Sequence, residues 1–380
     1  MAASINSTFK YHIPAEGPRD ACIAVVCEKP ALEEVARNRL LVGPTGARVR
    51  RHLRNAGVDA GDQTSISKEV WLTNAVQNFD FPGANPTDAD IIRELPRLYH
   101  ELTALPNLTT IIGMGSVALR ALSNFQFDDI GNRRGSRLQT PFGIKFIPTF
   151  HPAFYVRGEW RFAPVVQFDV NRAIKESSWK EIRKTPRIYN TAPSSLTQAL
   201  HWLQLLRNSA LASGYLSFDI ETRLGAKGTW YIDCLAFSST PTEAYCIPLM
   251  RWDRTPYWPD ISEESLIWRE IAATLNLEGV RYVTQNGCAF DQWQLRRHGI
   301  KLHQMNKGFD TFSAHSLLAP DLPHDLAFLV SIYTDEEYYK DESGQAEYTR
   351  DDNIRWIYNC KDAALTLECA FGIMDDLREA

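Results

Sequence analysis

The sequence predicts an α/β protein of two domains, and three observations carry that prediction. Strand-like and helical patterns alternate across residues 1–180, a seam containing Pro and Ser follows at 184–195, and three strand-like runs then precede further helical segments. In order, the first domain reads as strands at 21–27, 70–73, 109–112 and 144–148, alternating with helices near 45–56, 87–104, 115–122 and 167–178. That alternation argues a mostly parallel sheet between helical layers, an α/β/α sandwich. In the seam, Pro186 and Pro193 break the helical pattern on either side, and Ser194 or Ser195 is placed to cap a helix whose Leu196, Leu200, Leu203 and Leu206 recur at helical spacing. Strand-like runs near 215–219, 229–237 and 244–249 follow, separated by Gly-rich or Pro-containing turns. The expected divisions are a first domain over 1–183, a linker over 184–195 and a second domain over 196–380.

A chain of 380 residues holds two ordinary cores, and 44% apolar with 23% charged residues is a globular composition that excludes wholesale disorder. The longest apolar run near the start, 21–27, is too short to span a bilayer, and the first ten residues carry no secretory pattern. A cytoplasmic protein without a membrane partner is expected. Seven cysteines, at 22, 27, 234, 246, 288, 360 and 369, occur in no CxxC pair and read as reduced core thiols. The net charge of −5 divides unevenly, because residues 1–185 hold 24 Lys and Arg against 19 Asp and Glu. The first domain is therefore the mildly basic one, better suited to phosphate contact, while the acidic second domain suits bound cations.

Chemistry concentrates in the second domain. Asp219 and Glu221 lie two apart at the end of a strand-like run and share a face. Tyr358 and Asp362 lie four apart in a helical pattern and share a face as well. Asp291 follows the strand-like run 281–284 and adds a fourth carboxylate. Four hard oxygen donors from separate elements suit two divalent ions, Mg²⁺ or Mn²⁺, rather than zinc, which favours Cys and His.

These residues, together with 310–326 and Tyr338-Tyr339-Lys340-Asp341-Glu342, resemble the three motifs of a DEDD-type 3′–5′ exonuclease of the tyrosine subclass, most nearly the proofreading domain of family A DNA polymerases. The resemblance runs from about residue 186 onward. It implies a ribonuclease H-like fold that opens with an antiparallel meander and closes with helices. It also implies that Asp219, Glu221, Asp291 and Asp362 hold two metal ions, that Tyr358 orients the attacking water, and that Asn286 contacts the terminal nucleotide. Read from its residues alone, an Asn beside Gly is equally a turn former. The implied partner is DNA with a single-stranded or frayed 3′ end, in company with a polymerase domain or subunit.

In the first domain, the rule that parallel sheets place sites at strand carboxyl ends leads to Glu28, Asn74, residues 113–116 and His151. The same residues resemble the uracil-DNA glycosylase superfamily, family 4 branch, over roughly 14–175. Cys27-Glu28-Lys29-Pro30-Ala31 is similar to its Gly-Glu-Ala-Pro-Gly motif, Thr73-Asn74 to Thr-Asn, Arg134-Gly135 to Arg-Gly, and Thr149-Phe150-His151-Pro152-Ala153 to Thr-Tyr-His-Pro-Ser. The resemblance implies that Glu28 positions a water, Asn74 reads or orients a base, and His151 stabilises the charge that develops on it. Departures fall on the chemistry. Leu41 stands where a stacking aromatic is expected, Lys29 and Ala153 replace small and hydroxyl residues, and the family's iron–sulfur cysteines lack counterparts, so no iron–sulfur cluster is expected. The expectation is a DNA-binding or docking module, with DNA contact through Arg133, Arg134 and Arg137 and weak or absent uracil excision.

The whole chain then reads as a DNA replication or repair exonuclease from a bacterial or virus-infected cell. Four alternatives stay open: a two-activity enzyme that also excises uracil, an RNA-directed exonuclease, a non-catalytic nucleic-acid scaffold, and the N-terminal part of a family A polymerase. The chain ends 18 residues after Asp362, leaving no room within it for a polymerase domain.

Overall fold

The computed structural model describes residues 11–80, 85–224, 230–287, 289–303 and 308–379. Two compact units divide the chain, Met1–Arg183 and Lys184–Ala380. Cys288 and the first residue of the 229–237 run lie outside the described residues.

In the first unit, strands Val70–Asn74, Ile23–Cys27, Thr110–Met114 and Lys145–Thr149 lie side by side in that order, all parallel, with Leu138–Gln139 added antiparallel at the edge. Every residue of the four parallel strands is buried, as a sheet covered on both faces requires. Helix Ala163–Glu176 packs on strands Lys145–Thr149 and Thr110–Met114 and against helix Pro44–Asn55, while Asp88–Thr103 packs on Ser116–Leu122. This is the expected α/β/α sandwich. Its additions are short pieces that periodicity does not register, among them helices Leu32–Arg37, Ile130–Arg133 and Pro152–Val156, a turn of 3₁₀ helix at Trp160–Phe162, the strand pair Tyr11–His12 and Asn78–Phe79, and the edge strand. No helix among the described residues is long and apolar enough to cross a membrane.

The second unit is built on a six-stranded mixed sheet in the order Phe309–Asp310, Arg281–Thr284, Tyr215–Leu224, Trp230–Thr240, Glu243–Pro248, Ile188–Asn190. The central three strands form the antiparallel meander, and Arg281–Thr284 joins Tyr215–Leu224 in parallel. A ribonuclease H-like sheet results. Ile188–Asn190 pairs in parallel with Glu243–Pro248, so the stretch 184–195, expected as a linker, contributes an edge strand to the second unit. A three-residue strand has too little alternation to be read locally, and its partner lies some fifty residues away.

Strand alternation sorts Tyr215–Leu224 between two environments. Leu216, Phe218 and Ile220 enter an apolar core with Ala199, Leu203, Leu206 and Ala210 of helix Leu196–Ser213 and Ile267 and Ile271 of helix Ile261–Thr274. Ser195 caps the first of these helices by accepting from Gln198 N at 3.3 Å. On the opposite face lies the long helix Asp352–Glu379, where Cys234, Ala236, Ala244 and Cys246 of the sheet meet Trp356, Cys360, Ala363 and Ala364. Small residues on both sides let helix and sheet approach closely. That approach sets the scale of the site.

Candidate functional site

The same alternation that buries Phe218 and Ile220 in one core turns Asp219 and Glu221 toward the long helix. Three carboxylates, of Asp219, Glu221 and Asp362, converge there with ligand oxygens within 4.8 Å of one another. Asp291 stands at the first turn of helix Asp291–Arg297, buried, beside this trio and outside its 4.8 Å set. Asp310 fixes the turn that leads to it, accepting from Gly287 N at 2.9 Å and Thr284 Oγ1 at 3.2 Å. Asn286 adopts a left-handed φ of 56° and its carbonyl accepts from Ala289 N at 3.1 Å, so this residue forms the turn while its side chain faces solvent.

Burial pushes the Glu221 carboxyl up to about 7 despite Arg355 nearby. Burial likewise carries Asp291 up to about 7 against backbone N–H bonds that favour its charge. Asp219 is driven well above the ordinary carboxylate range, by burial first and then by Asp362, Asp291 and Glu221. Like-charged buried carboxyls at this spacing are stabilised by a cation. Their all-oxygen donor set fits Mg²⁺ or Mn²⁺.

The surrounding polar groups include some that the sequence left unassigned. Lys340 donates to both Asp362 oxygens at 2.7 Å and to Tyr358 OH at 3.0 Å. Burial works against its charge, but Asp362 and Tyr358 outweigh burial and raise its pKa. Tyr339 donates to Asp362 as well, and Asn359 Nδ2 donates to Asp219 Oδ2 at 2.7 Å. The Asn359 amide oxygen faces Cys234 Sγ at 3.5 Å, which fixes which end meets the carboxylate. Arg355 pairs with Glu221 at 3.2 Å and with the buried Asp233. The sole local signal for Lys340 is its place in Tyr339-Lys340, since nothing in spacing ties it to an aspartate 22 positions on.

The first unit holds a separate cleft of about 720 Å³ at the strand carboxyl ends, lined by Glu28, Asn74 and His151 among others. Gly115, at φ +92°, lets the first and last of these close in, because a Cβ there would lie 2.4 Å from Glu28 Oε1 and 3.0 Å from His151 Cβ. Burial raises the Glu28 pKa and lowers that of His151 to about 4, so the imidazole is neutral at pH 7. Ala153 N donates to His151 Nδ1 at 3.3 Å, which leaves the ring proton on Nε2. The Asn74 amide is buried and its Nδ2 has no partner among the described residues. A neutral donor, a carboxyl and a free amide thus line one cleft.

Residues 14–171 match the uracil DNA glycosylase superfamily. The type-4 uracil-DNA glycosylase of Thermotoga maritima is 29% identical over 148 residues, which cover 38% of this chain and 71% of that protein. Among solved structures, the catalytic core of RRP6 from Trypanosoma brucei overlays with a TM-score of 0.39 and 14% identity, covering 68% of this chain and 65% of that one. The Nibbler EXO domain of Aedes aegypti gives 0.36 and 14%, covering 51% and 89%. The polymerase domain of Pol1 from M. smegmatis gives 0.34 and 16%, covering 51% and 28%.

The glycosylase-like unit corrects the arginine expectation. Arg134 is fully buried, its Nε donating to Asp169 Oδ2 at 2.9 Å, while Asp169 also accepts from Thr149 Oγ1 at 2.7 Å. Arg137 pairs with Glu176 at 2.6 Å and is largely covered, and Arg133 stacks on Phe127 at 4.4 Å. Arg134, through Asp169 and Thr149, braces the end of the strand that leads to His151, and Arg137 is tied through Glu176 to Lys145 at the start of that strand, so neither guanidinium is the open surface charge expected. Leu41, at the stacking position, is 5% exposed with φ 53°, its N–H held by Glu34 Oε1 at 2.7 Å and its carbonyl by Arg50 Nε at 3.1 Å. This pinned aliphatic residue offers a flipped base no aromatic face.

Proposed function

We propose that the second unit is a metal-dependent 3′–5′ DNA exonuclease of the proofreading or repair type, and that the first unit holds DNA with weak or absent uracil excision. The observation that carries this reading is the convergence of Asp219, Glu221 and Asp362 from a strand and a helix, with Asp291 and Tyr358 alongside. Two Mg²⁺ or Mn²⁺ ions held by Asp219, Glu221, Asp291 and Asp362 would supply an acidified water and charge neutralisation for in-line displacement at a phosphodiester. Asn359 and Lys340 orient the Asp219 and Asp362 carboxylates by direct hydrogen bonds. Burial and Asp362 raise the Tyr358 pKa, so its phenol stays protonated at neutral pH and acts by orienting water, with Lys340 donating to its oxygen.

Tyr358→Phe keeps the packed ring and removes that orientation. A fall in kcat on the order of 10²-fold is expected, with metal affinity unchanged. Full activity in that variant would deny the phenol a role in the chemical step. Metal loading must also displace protons, because carboxyls titrating near 7 are partly protonated at neutral pH. Calorimetric titration with Mn²⁺ in two buffers of different ionisation heat should show proton release at pH 6.5 that fades by pH 8.5, with affinity rising over that window. No proton release at pH 6.5 would argue that the ion binds elsewhere.

Strand class is decided by 5′-labelled single-stranded DNA and matched RNA. The DNA is expected to shorten from its 3′ end one nucleotide at a time, faster than the RNA. Faster RNA trimming would overturn the DNA reading. For the first unit, a uracil-containing duplex treated with alkali after incubation should show few strand breaks. Robust breakage that disappears in His151→Ala or Glu28→Ala would instead make the chain a two-activity enzyme.

A further inference from the structure

A second cavity in the exonuclease-like unit, about 580 Å³, lies where the strand Tyr215–Leu224 runs on past Glu221. Its lining includes Arg223, Arg254, Arg350, Arg355, Trp230 and Trp252, with Asp253 and Glu347 as its acidic members. Two of the arginines are already used. Arg355 and Arg223 both pair with the buried Asp233, Arg355 reaches Glu221 at 3.2 Å, and the Arg223 guanidinium covers the Trp252 ring at 4.3 Å. They form a rigid wall connected to the metal carboxylates.

Arg254 and Arg350 are different. Both are exposed, and neither guanidinium has a carboxylate partner among the described residues. Both also stand in the left-handed region, at φ 68° and 56°, where Gly or Asn is the usual occupant and a long side chain costs stability. Arg350 ends the helix Asp341–Thr349 in that conformation. Two cations without an ion-pair partner among the described residues thus line one cavity, both on left-handed backbone. Asp253 forms no ion pair with either of them among the described residues; its Oδ1 accepts from Thr255 N and Oγ1 at 3.0 and 2.6 Å. Trp230, 46% exposed, supplies an open indole on the same wall.

We propose that this cavity is a nucleotide subsite in which Arg254 and Arg350 take phosphodiester groups of a single DNA strand and Trp230 stacks one of its bases. The subsite rests on the exonuclease reading, because it lies along the strand that carries Asp219 and Glu221 and would hold the substrate upstream of the cleaved bond. Phosphate pairing and sequence-tolerant stacking together are how single strands are gripped without base readout.

The test uses the full chain in EDTA, so that nothing is cut, with 5′-fluorescein-labelled oligo(dT) followed by anisotropy across a salt series. Arg254→Gly/Arg350→Gly relieves the backbone strain while removing both cations. Its thermal midpoint is expected at or above wild type, with affinity down about tenfold or more. The salt slope should fall by about 1.4, the value for two phosphates on a single strand. The double Lys variant should restore the slope, and Trp230→Ala should lose about tenfold in affinity with the slope unchanged. Wild-type affinity in the Gly variant, or a loss with an unaltered slope, overturns the subsite. Strand shortening by the wild-type chain in Mg²⁺, measured separately, distinguishes the cases: shortening with wild-type binding by the Gly variant sinks the subsite alone, and absence of shortening sinks the exonuclease reading beneath it.

Discussion

Asp219→Ala is expected to lower turnover at a DNA 3′ end by on the order of 10³-fold or more while the second unit stays folded. Asp219 converges with the other site carboxylates and is raised in pKa by burial and by all three of them, so its loss would remove a ligand from the group that would hold the ions. The same like-charge crowding means that deletion relieves repulsion in the metal-free protein. Against that stands one cost, since Asn359 Nδ2 loses its acceptor at 2.7 Å. The thermal midpoint in EDTA should therefore stay near wild type, and the midpoint rise on adding Mn²⁺ should shrink. Undiminished cleavage would remove Asp219 from the chemistry. A collapsed fold would show that the site's geometry depends on the Asp219–Asn359 bond more than on charge.

Arg134→Ala should destabilise the glycosylase-like unit by about 3–5 kcal/mol, because it leaves the buried Asp169 carboxylate without its guanidinium. The damage should reach the cleft. Asp169 also accepts from Thr149 Oγ1 at 2.7 Å, and Thr149 ends the strand that delivers His151. Replacing both partners with apolar residues, Arg134→Met with Asp169→Leu, should cost less than the single change, since no charge is then stranded. Denaturant melts of the two variants beside wild type check this ordering. A single variant as stable as wild type would mean that Arg134 is accessible to solvent, and a direct DNA contact would again be open to it.

What the sequence made legible is what short-range periodicity encodes. Asp219 with Glu221, and Tyr358 with Asp362, could be paired because spacings of two and four fix a shared face before any tertiary contact is known. The four parallel strands are legible because burial on both faces favours short apolar runs, unbroken in Ile23–Cys27 and interrupted only toward the ends of the others. Other features depend on partners far along the chain. Arg134 looked like surface charge because its partner Asp169 is 35 positions away, and charge composition cannot tell a braced arginine from a solvated one. Lys340 acquires its role when the segment before helix Asp341–Thr349 folds onto helix Asp352–Glu379, and Asn359 when that helix docks on the sheet. Arg254 and Arg350 were missed for a different reason: arginine is not a residue from which a left-handed turn is read.

The most direct measurement is the fate of a single label at the 3′ terminus of a DNA strand incubated with the wild-type chain. In Mg²⁺ or Mn²⁺ the label is expected to leave first, as a mononucleotide, before any internal fragment appears, and EDTA should stop its release. Release within larger fragments, or release that continues without a divalent ion, would contradict a carboxylate-held metal site acting on a 3′ end.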